Sequence, residues 1–397
     1  MKIKTLCALV LLLLFGTSLV SAQSVTRCGG PNTGLYINWT TFQFDVCHTG
    51  YNPYENRIST ANVQNLVVAW KYATRNQMTG SPVLVNGVVY FGSQDTTVYA
   101  ADAVTGALRW SYITANPVFT APAVVNGVLF IASGRSVYAL NANTGTLLWK
   151  QSMPDVITTS PTVANGILYI GCNDSNMYAL NTATGVHLWQ YNTSQGIQST
   201  PAVVNGVVYF GSSLGNVYAL NALNGVLIWK SNIGGNIYSS PVVFNGVVYI
   251  TQNIGAVFAL NATTGATLWN TQPQFGGHVA MQSSPVVANG IVYVGALNTD
   301  QEMGLPTIFA FRASDGSVLW SALSLTGHTV TSLAVANNVL YAAASDGNLY
   351  AYSADAGQYL WNYTTALSYS GPPIIANGMV YIESDTKNLY AFRLANE

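Results

Sequence analysis

A unit of about forty residues recurs along nearly the whole 397-residue chain, and this repetition limits the possible folds more than any other feature. Each unit contains an apolar run, an Asn-Gly pair, a second apolar run, a polar turn, and a third run that leads through Thr-Gly to tryptophan. Asn-Gly between β-branched runs predicts a type I′ hairpin, because both turn residues need positive φ. The pairs begin at Asn86, Asn126, Asn165, Asn205, Asn245, Asn289 and Asn377, and Asn337-Asn338 occupies the remaining place. Eight units of four short strands are therefore predicted.

The tryptophans that end the units indicate how the array of blades closes into a ring. They are Trp70, Trp110, Trp149, Trp189, Trp229, Trp269, Trp320 and Trp361. Trp70 precedes the first Asn-Gly pair, whereas the last unit ends before a fourth strand of its own. We therefore predict an all-β, eight-bladed β-propeller of four-stranded blades, in which the N-terminal strand around Trp70 completes the last blade and protects the sheet edges. A helical solenoid lacks the required periodicity, and a membrane barrel needs longer alternating strands.

The composition excludes several classes of protein. Only 7% of the residues are charged and the formal net charge is -1, whereas half of the residues are hydrophobic. Disordered chains combine low hydrophobicity with high net charge, and nucleic-acid binding needs concentrated basic charge, so neither class fits. Strands buried on both faces are nearly continuous apolar runs, which accounts for the charge deficit. Because solubility then depends little on carboxylate ionisation, we expect a melting temperature that barely changes between pH 7 and pH 4.

The N-terminus is typical of a secretory signal. Lys2 and Lys4 precede an apolar core at residues 6–15, and Val20-Ser21-Ala22 offers small residues for cleavage. An uncleaved anchor is the alternative, but the core is shorter than a bilayer span. No cysteine follows the cleavage region, so there is no lipobox. We therefore predict a signal peptide at 1–22, an N-terminal leader at 23–54 and the propeller at 55–397, in a secreted or periplasmic protein without a transmembrane span after cleavage.

The cysteines fit an oxidising compartment. Cys28 and Cys47 bracket a short stretch of the leader. A disulfide between them would close a loop of about 20 residues and contribute on the order of 3 kcal/mol in the chain-entropy model. Cys172 is left over at a strand end, and we expect it to be a half-buried free thiol rather than a reactive one.

The close of each unit resembles a known family. The pattern of Ala139, Gly145 and Trp149, repeated eightfold in register, is similar to the pyrroloquinoline quinone (PQQ) repeat of quinoprotein dehydrogenases and of PQQ-like propellers such as the Bam-complex lipoprotein. The resemblance implies a structural girdle, in which each tryptophan packs between blades against the glycine of a neighbouring motif. The family often has Asp where this chain has Asn141 and its counterparts, but Asn can form the same local turn bond.

The resemblance also implies what a working dehydrogenase would contain: PQQ over the central funnel, a stacking tryptophan, a ring formed by adjacent cysteines, calcium and an Asp base. No two cysteines are adjacent in this chain, and no Cys-x-x-Cys-His occurs to attach a c-type haem. Eight of the nine tryptophans are assigned to the girdle, and Trp39 lies in the leader. We therefore predict no catalytic or cofactor-binding residues and no cofactor, with PQQ and Ca²⁺ as the alternative.

The charged residues gather on one side of the predicted ring. We call the side with the Asn-Gly and Thr-Gly turns the first rim. The second rim carries the turns between second and third strands and the blade-to-blade connections. Asp residues in these turns are expected to cap their own backbone. The sixth unit has an insertion on the second rim, and long loops on rigid scaffolds are common binding elements. The candidate partner or ligand residues of the second rim are Asp300, Glu302, Met303, His278, His328, Arg135 and Asp155.

Two histidines and two carboxylates could form a metal site if they converged, but solvated loop residues are the simpler interpretation, and we predict no metal. The leading functional hypothesis is a non-catalytic binding or scaffold module, monomeric, with a protein or envelope component as partner and no nucleic acid. The first alternative is a PQQ-dependent alcohol or polyol dehydrogenase with a reduced site. The second is a carbohydrate- or envelope-binding propeller that uses loop tyrosines such as Tyr238 and Tyr369.

Overall fold

The computed structural model describes most of the chain. It covers Cys28 and the ranges 37–273, 279–281, 283–298, 307–322, 330–365, 368 and 371–396.

The protein is an eight-bladed β-propeller of four-stranded antiparallel sheets, as predicted. The hairpin turns form because Asn and Gly reach positive φ at low steric cost; Asn165 and Gly166, for example, have φ of 50° and 77°. First strands surround the central channel and contact the first strands of the neighbouring blades. Second and third strands are buried almost throughout, and fourth strands form the outer edge.

The strands of blades 1 to 4, from the channel outwards, are Val83–Val85, Val88–Ser93, Thr97–Asp102 and Leu108–Ile113; Ala123–Val125, Val128–Ser133, Ser136–Asn141 and Leu147–Ser152; Thr162–Ala164, Ile167–Gly171, Asn176–Asn181 and His187–Asn192; Ala202–Val204, Val207–Ser212, Asn216–Asn221 and Leu227–Asn232. Those of blades 5 to 8 are Val242–Phe244, Val247–Gln252, Ala256–Asn261 and Thr267–Thr271; Val286–Ala288, Ile291–Gly295, Ile308–Arg312 and Val318–Ala322; Val330–Ala336, Val339–Ala344, Asn348–Ser353 and Tyr359–Thr364; Ile374–Ala376, Met379–Ser384, Asn388–Leu394 and Leu66–Ala73. The remaining elements are strands Tyr51–Asn52, Val279–Ala280 and Leu297–Asn298 and the 3₁₀ helix Val63–Asn65.

Blade 8 confirms the predicted closure of the ring. Its outer strand, Leu66–Ala73, comes from the N-terminal side and pairs antiparallel with the last strand of the chain, Asn388–Leu394. Trp70 lies opposite Ala391 in this pairing. The ring is thus held together by backbone hydrogen bonds between residues more than 300 positions apart.

Neighbouring blades dock through tryptophan and glycine. The Trp110 ring lies so close to Gly145 of the next blade that a Cβ there would come within 2.6 Å of it. Its Nε1–H donates to the Ala142 carbonyl at 2.8 Å. The same contact joins Trp70 to Gly106, Trp149 to Gly185, Trp189 to Gly225, Trp229 to Gly265, Trp269 to Gly316 and Trp320 to Gly357. Trp361 differs, because blade 8 takes its fourth strand from elsewhere, and this ring packs edge-on against Phe392 at 5.8 Å.

The leader closes the channel at the first rim. Residues 37–55, which we call the plug, offer backbone carbonyls to the first strands of successive blades: Thr40 accepts from Val124 at 2.8 Å and Gly50 from Val335 at 2.9 Å. With further contacts to Leu84, Thr162, Val203, Val243, Val287 and Ile375, the plug touches all eight blades. A disulfide joins Cys28 to Cys47 of the plug. In the part of the chain that the structure describes, no helix is long and apolar enough to cross a membrane.

The glycine contact can be tested with a matched pair of substitutions. Gly145 and Gly127 both have positive φ, 72° and 76°, but a Cβ at Gly127 would meet nothing within 4 Å. We expect Gly145→Ala to lower the free energy of unfolding by about 1–3 kcal/mol more than Gly127→Ala, because only the first overpacks the tryptophan. Urea denaturation measures the difference, and equal losses would show that the Trp–Gly contact does not constrain blade docking.

Ring closure can be tested by truncation. A chain that begins at Gln77 lacks both the plug and the strand Leu66–Ala73, so blade 8 would expose an unpaired edge. We expect this variant to aggregate, whereas a control that lacks only residues 1–22 should remain monomeric and melt cooperatively. Size-exclusion chromatography and thermal melting distinguish the two. A soluble truncation with a cooperative transition would refute the closure.

Candidate functional site

The channel contains a cavity of about 230 Å³ that is closed on one side by the plug. Phe42 and Gln43 of the plug form its floor. Its wall is built by the residue five positions before each Asn-Gly turn or its equivalent, where the chain enters the first strand. In blade order these residues are Ser81, Ala121, Ser160, Thr200, Ser240, Ser284, Ser332 and Pro372. The cavity therefore faces the second rim.

Hydroxyl groups connect the wall from blade to blade. The Ala121 amide donates to Ser160 Oγ at 3.0 Å, and the Ser160 amide donates to Thr200 Oγ1 at 3.1 Å. In the same way, the Thr200 amide donates to Ser240 Oγ at 3.0 Å, and the Ser240 amide donates to Ser284 Oγ at 2.9 Å. Each of these hydroxyls satisfies a backbone amide of the preceding blade, so the wall is rigidly positioned.

A second layer of hydroxyls lies one residue earlier in the chain. Thr159 Oγ1, for example, donates to the Gly171 carbonyl and accepts from the Gly171 amide, both at 2.9 Å. The second-strand residue at this place must be small, because a Cβ on Gly171 would come within 2.5 Å of Ile197 in the next blade. Blades 1 and 8 have Gly80 and Gly371 in place of the hydroxyl residue, and blade 8 also has Glu383 in place of the small residue.

Glu383 is a buried carboxyl behind the channel wall, where blade 8 meets blade 1. Its side chain is fully buried, and neither carboxylate oxygen has a hydrogen-bond partner. Burial raises the pKa of Glu383 to about 8, because the charged form loses its hydration, and the Gly80 backbone offsets only part of this effect. The group is therefore mainly protonated at neutral pH.

His48 is the second buried titratable group near the channel. It lies in the plug, with Nε2 3.4 Å from Thr162 Oγ1 and Nδ1 without a partner. Burial lowers the pKa of His48 to about 3, because it disfavours the imidazolium form more than the nearby Pro241 carbonyl favours it. His48 is therefore neutral over the physiological range.

The mouth of the cavity is aromatic and polar. Phe119 and Tyr238, from blades 2 and 5, are 46% and 37% exposed. Thr158 and Gln198 lie between them on the intervening blades. No charged side chain lines the cavity among the residues with described positions. The site can therefore form hydrogen bonds and pack against apolar groups, but it offers no charge to a ligand.

The residues predicted from the sequence lie apart from this cavity where they can be placed. Arg135 is exposed in the turn after the second strand of blade 2, and its carbonyl accepts from Met153. Asp155 lies in the following connection and caps the Val156 amide at 2.7 Å. The predicted residues Asp300, Glu302, Met303, His278 and His328 lie outside the described residues. Within the ranges that are described, no three His, Cys, Asp or Glu side chains are grouped as metal ligands would be.

The turn aspartates have structural roles. Asp174 accepts from the Asn176 amide at 3.0 Å and from the Tyr178 hydroxyl at 2.5 Å, and Asp95 binds Tyr99 in the same way at 2.8 Å. Cys172 is buried beside this turn as a free thiol, and burial raises its pKa to about 11. We therefore assign no reactive role to the turn aspartates or to the Cys172 thiol.

The sequence analysis missed the residues that form the cavity, although a signal was present. Ser or Thr directly before Pro recurs in five units, at Ser81, Ser160, Thr200, Ser240 and Ser284. Glu383 was also visible as an acidic residue inside an apolar strand. The floor residue Gln43 had no such signal, because its position depends on the path of the plug.

Known proteins match this chain in both sequence and fold. The family model of the outer membrane protein assembly factor BamB matches residues 55–269, 117–322 and 234–397. A quinohemoprotein alcohol dehydrogenase from Comamonas testosteroni is 32% identical over 98 residues, which are 23% of this chain and 14% of that protein.

Many solved structures share the fold, including a BamB and a quinohemoprotein alcohol dehydrogenase. BamB from Moraxella catarrhalis has a TM-score of 0.70 at 16% identity, with 83% of this chain and 99% of that chain covered. The quinohemoprotein alcohol dehydrogenase ADHIIG from Pseudomonas putida HK5 has a TM-score of 0.77 at 17% identity, with 91% and 81% covered. At these identities the structural likeness shows the fold alone.

Glu383 and His48, which are both fully buried, predict opposite effects of pH on stability. The raised pKa of Glu383 stabilises the fold at low pH, and this contribution is lost as the pH rises from 4.5 towards 8. The lowered pKa of His48 stabilises the fold at high pH, and this contribution is lost as the pH falls from 6.5 towards 3. Between pH 4.5 and 6.5 the two slopes oppose each other, each at about 1.4 kcal/mol per pH unit. The wild-type stability should be nearly constant there.

Single substitutions should expose each slope. From pH 6.5 to pH 4.5, Glu383→Gln should lose about 3 kcal/mol of unfolding free energy, and His48→Gln should gain a similar amount. Urea unfolding at three pH values measures the slopes, which do not depend on any constant loss caused by the substitution itself. A flat profile in both variants would contradict the assignment.

Proposed function

Because the chain belongs to the BamB family of PQQ-like propellers, whose model covers residues 55–397, we propose that it is a secreted or periplasmic binding or scaffold module without catalytic activity. The observation that carries the proposal is the neutral lining of the channel, whose described residues offer hydroxyls, two amides and apolar groups. In a PQQ propeller the channel is the natural place for a cofactor. The described lining residues carry no charge to pair with the carboxylates of PQQ or with Ca²⁺.

The lining does not fit PQQ and calcium. PQQ is a tricarboxylate, which needs cations, and Ca²⁺ prefers carboxylate and carbonyl oxygens. The described cavity residues include no Lys, Arg, Asp or Glu. The sequence also has no Lys or Arg at 274–278, 299–306, 323–329, 366–367 or 369–370, and the acidic residues in these ranges are Asp300 and Glu302 of the insertion. Seven tryptophans are in contact with glycines of neighbouring blades, and Trp39 is fully buried in the plug.

A protein or envelope partner agrees with the name of the matched family, an outer membrane assembly factor. We place the partner face at the second rim around blades 5 to 7, where the sequence carries the long insertion with Asp300 and Glu302 and the two loop histidines. The turn between the third and fourth strands of blade 4, on the first rim, also exposes apolar side chains, with Leu223 65% and Val226 59% exposed, and such surfaces often mark contacts between proteins. We expect a monomeric module with no nucleic-acid partner.

Adding PQQ and Ca²⁺ to the purified protein separates this proposal from a dehydrogenase. We expect no dye reduction with a panel of primary alcohols and polyols, and no PQQ retained after gel filtration. A quinoprotein alcohol dehydrogenase assayed in parallel controls for cofactor and dye. Turnover that depends on both PQQ and an alcohol would refute the scaffold proposal.

A further inference from the structure

The channel wall has two chemically different halves. Blades 3 to 6 present the hydroxyls of Ser160, Thr200, Ser240 and Ser284, which form a continuous arc. Across the channel, blades 7, 8 and 2 present Leu333, Pro372 and Ala121. Ser332 lies at one boundary between the halves. Ser81 interrupts the apolar half, but its hydroxyl donates to the Pro372 carbonyl at 3.1 Å and is thereby occupied.

The hydroxyl arc has free donors. Each of its four oxygens accepts a hydrogen bond from a backbone amide of the preceding blade. None of them donates to an acceptor in the described part of the protein. Because a Ser or Thr hydroxyl can donate one hydrogen bond and accept two, each keeps its proton for a molecule in the channel.

The floor is held in place by a buried amide. Gln43 is only 2% exposed, and its Nε2 donates to the Pro285 carbonyl at 3.1 Å, which fixes the orientation of the amide. Its Oε1 and Thr79 Oγ1 in the wall have no hydrogen-bond partner, but both atoms are buried behind the surface of the cavity. The polar groups that a molecule in the channel would meet are therefore the hydroxyls of the arc.

The occupant must be neutral, rich in hydroxyls and partly apolar. A cavity of about 230 Å³ holds on the order of a dozen water molecules or more, which is close to the heavy-atom count of one hexose. A sugar ring has hydroxyls at its edge and C–H groups on its faces, which matches the two halves of the wall. Phe42 at the floor and Phe119 and Tyr238 at the mouth are aromatic residues that such C–H groups can pack against.

We propose that the channel is a binding site for one neutral polyhydroxylated molecule, either a monosaccharide unit or a linear polyol. The site lies inside the ring, apart from the partner face proposed on the second rim, so it goes beyond the scaffold function. Binding involves no covalent step. We expect charged sugars to bind more weakly, because none of the described lining residues can pair with a carboxylate or phosphate.

Isothermal titration with the full protein tests the proposal. The neutral probes are glucose, galactose, mannitol and xylitol, and the charged probes are glucuronate and gluconate. We expect at least one neutral probe to bind, and the charged probes to bind at least tenfold more weakly. If no neutral probe binds up to 50 mM, or if the charged probes bind as well, the proposal is overturned.

Conservative variants locate the site. Thr200→Val removes a donor from the arc and should weaken binding about tenfold, whereas Thr200→Ser retains the hydroxyl and should bind as the wild type does. Ser240→Ala and Ser240→Thr form a second matched pair. Ser231 is on the outer strand of the same blade as Thr200, and its hydroxyl donates to the Gly265 carbonyl. Ser231→Ala should therefore have no effect on binding. Binding that is insensitive to Thr200→Val and Ser240→Ala in folded variants would place the ligand elsewhere and refute the proposal.

Discussion

The docking of tryptophan on glycine between blades is the contact on which the rest of the structure depends. At seven junctions an indole fills the space that a side chain would occupy on the next blade, and its N–H donates to a backbone carbonyl of that blade. Because the indole packs directly against a glycine backbone, the distance and orientation between neighbouring blades are closely constrained. Seven repetitions of this geometry, together with the packing of Trp361 on Phe392 at the eighth junction, give a closed ring, and a closed ring leaves an axial channel.

What fills the channel is determined by the leader and by the entry to each blade. The plug closes the first rim with backbone hydrogen bonds to the first strands, and it buries Trp39, Phe44 and His48 completely. Towards the second rim, small hydroxyl residues line the axis because each also satisfies an amide of the adjacent blade. The result is a cavity that is closed at one end and whose described lining residues carry no charge. Near this cavity, Glu383 and His48 are buried and mainly neutral at pH 7.

The architecture could be predicted from the sequence because it depends on short local sequence motifs. Asn-Gly pairs marked the hairpins, Trp70 marked the closing strand, and Cys28 and Cys47 marked the disulfide. The plug and the cavity could not be predicted in the same way. The plug is held mostly through backbone groups, which every sequence has, and Gln43 reaches the channel through contacts with residues more than 200 positions away. The charged rim residues drew attention instead, and the two that can be placed, Arg135 and Asp155, do not line the cavity.

We propose that the channel holds a neutral polyhydroxylated ligand rather than a charged quinone. A crystal structure of the protein grown with PQQ, Ca²⁺ and an excess of the polyols and sugars together would test this proposal most directly. We expect electron density for a sugar or polyol against Thr200 and Ser240, with its apolar face towards Ala121 and Pro372. Planar tricyclic density over the channel, with a metal ion beside it, would contradict the proposal.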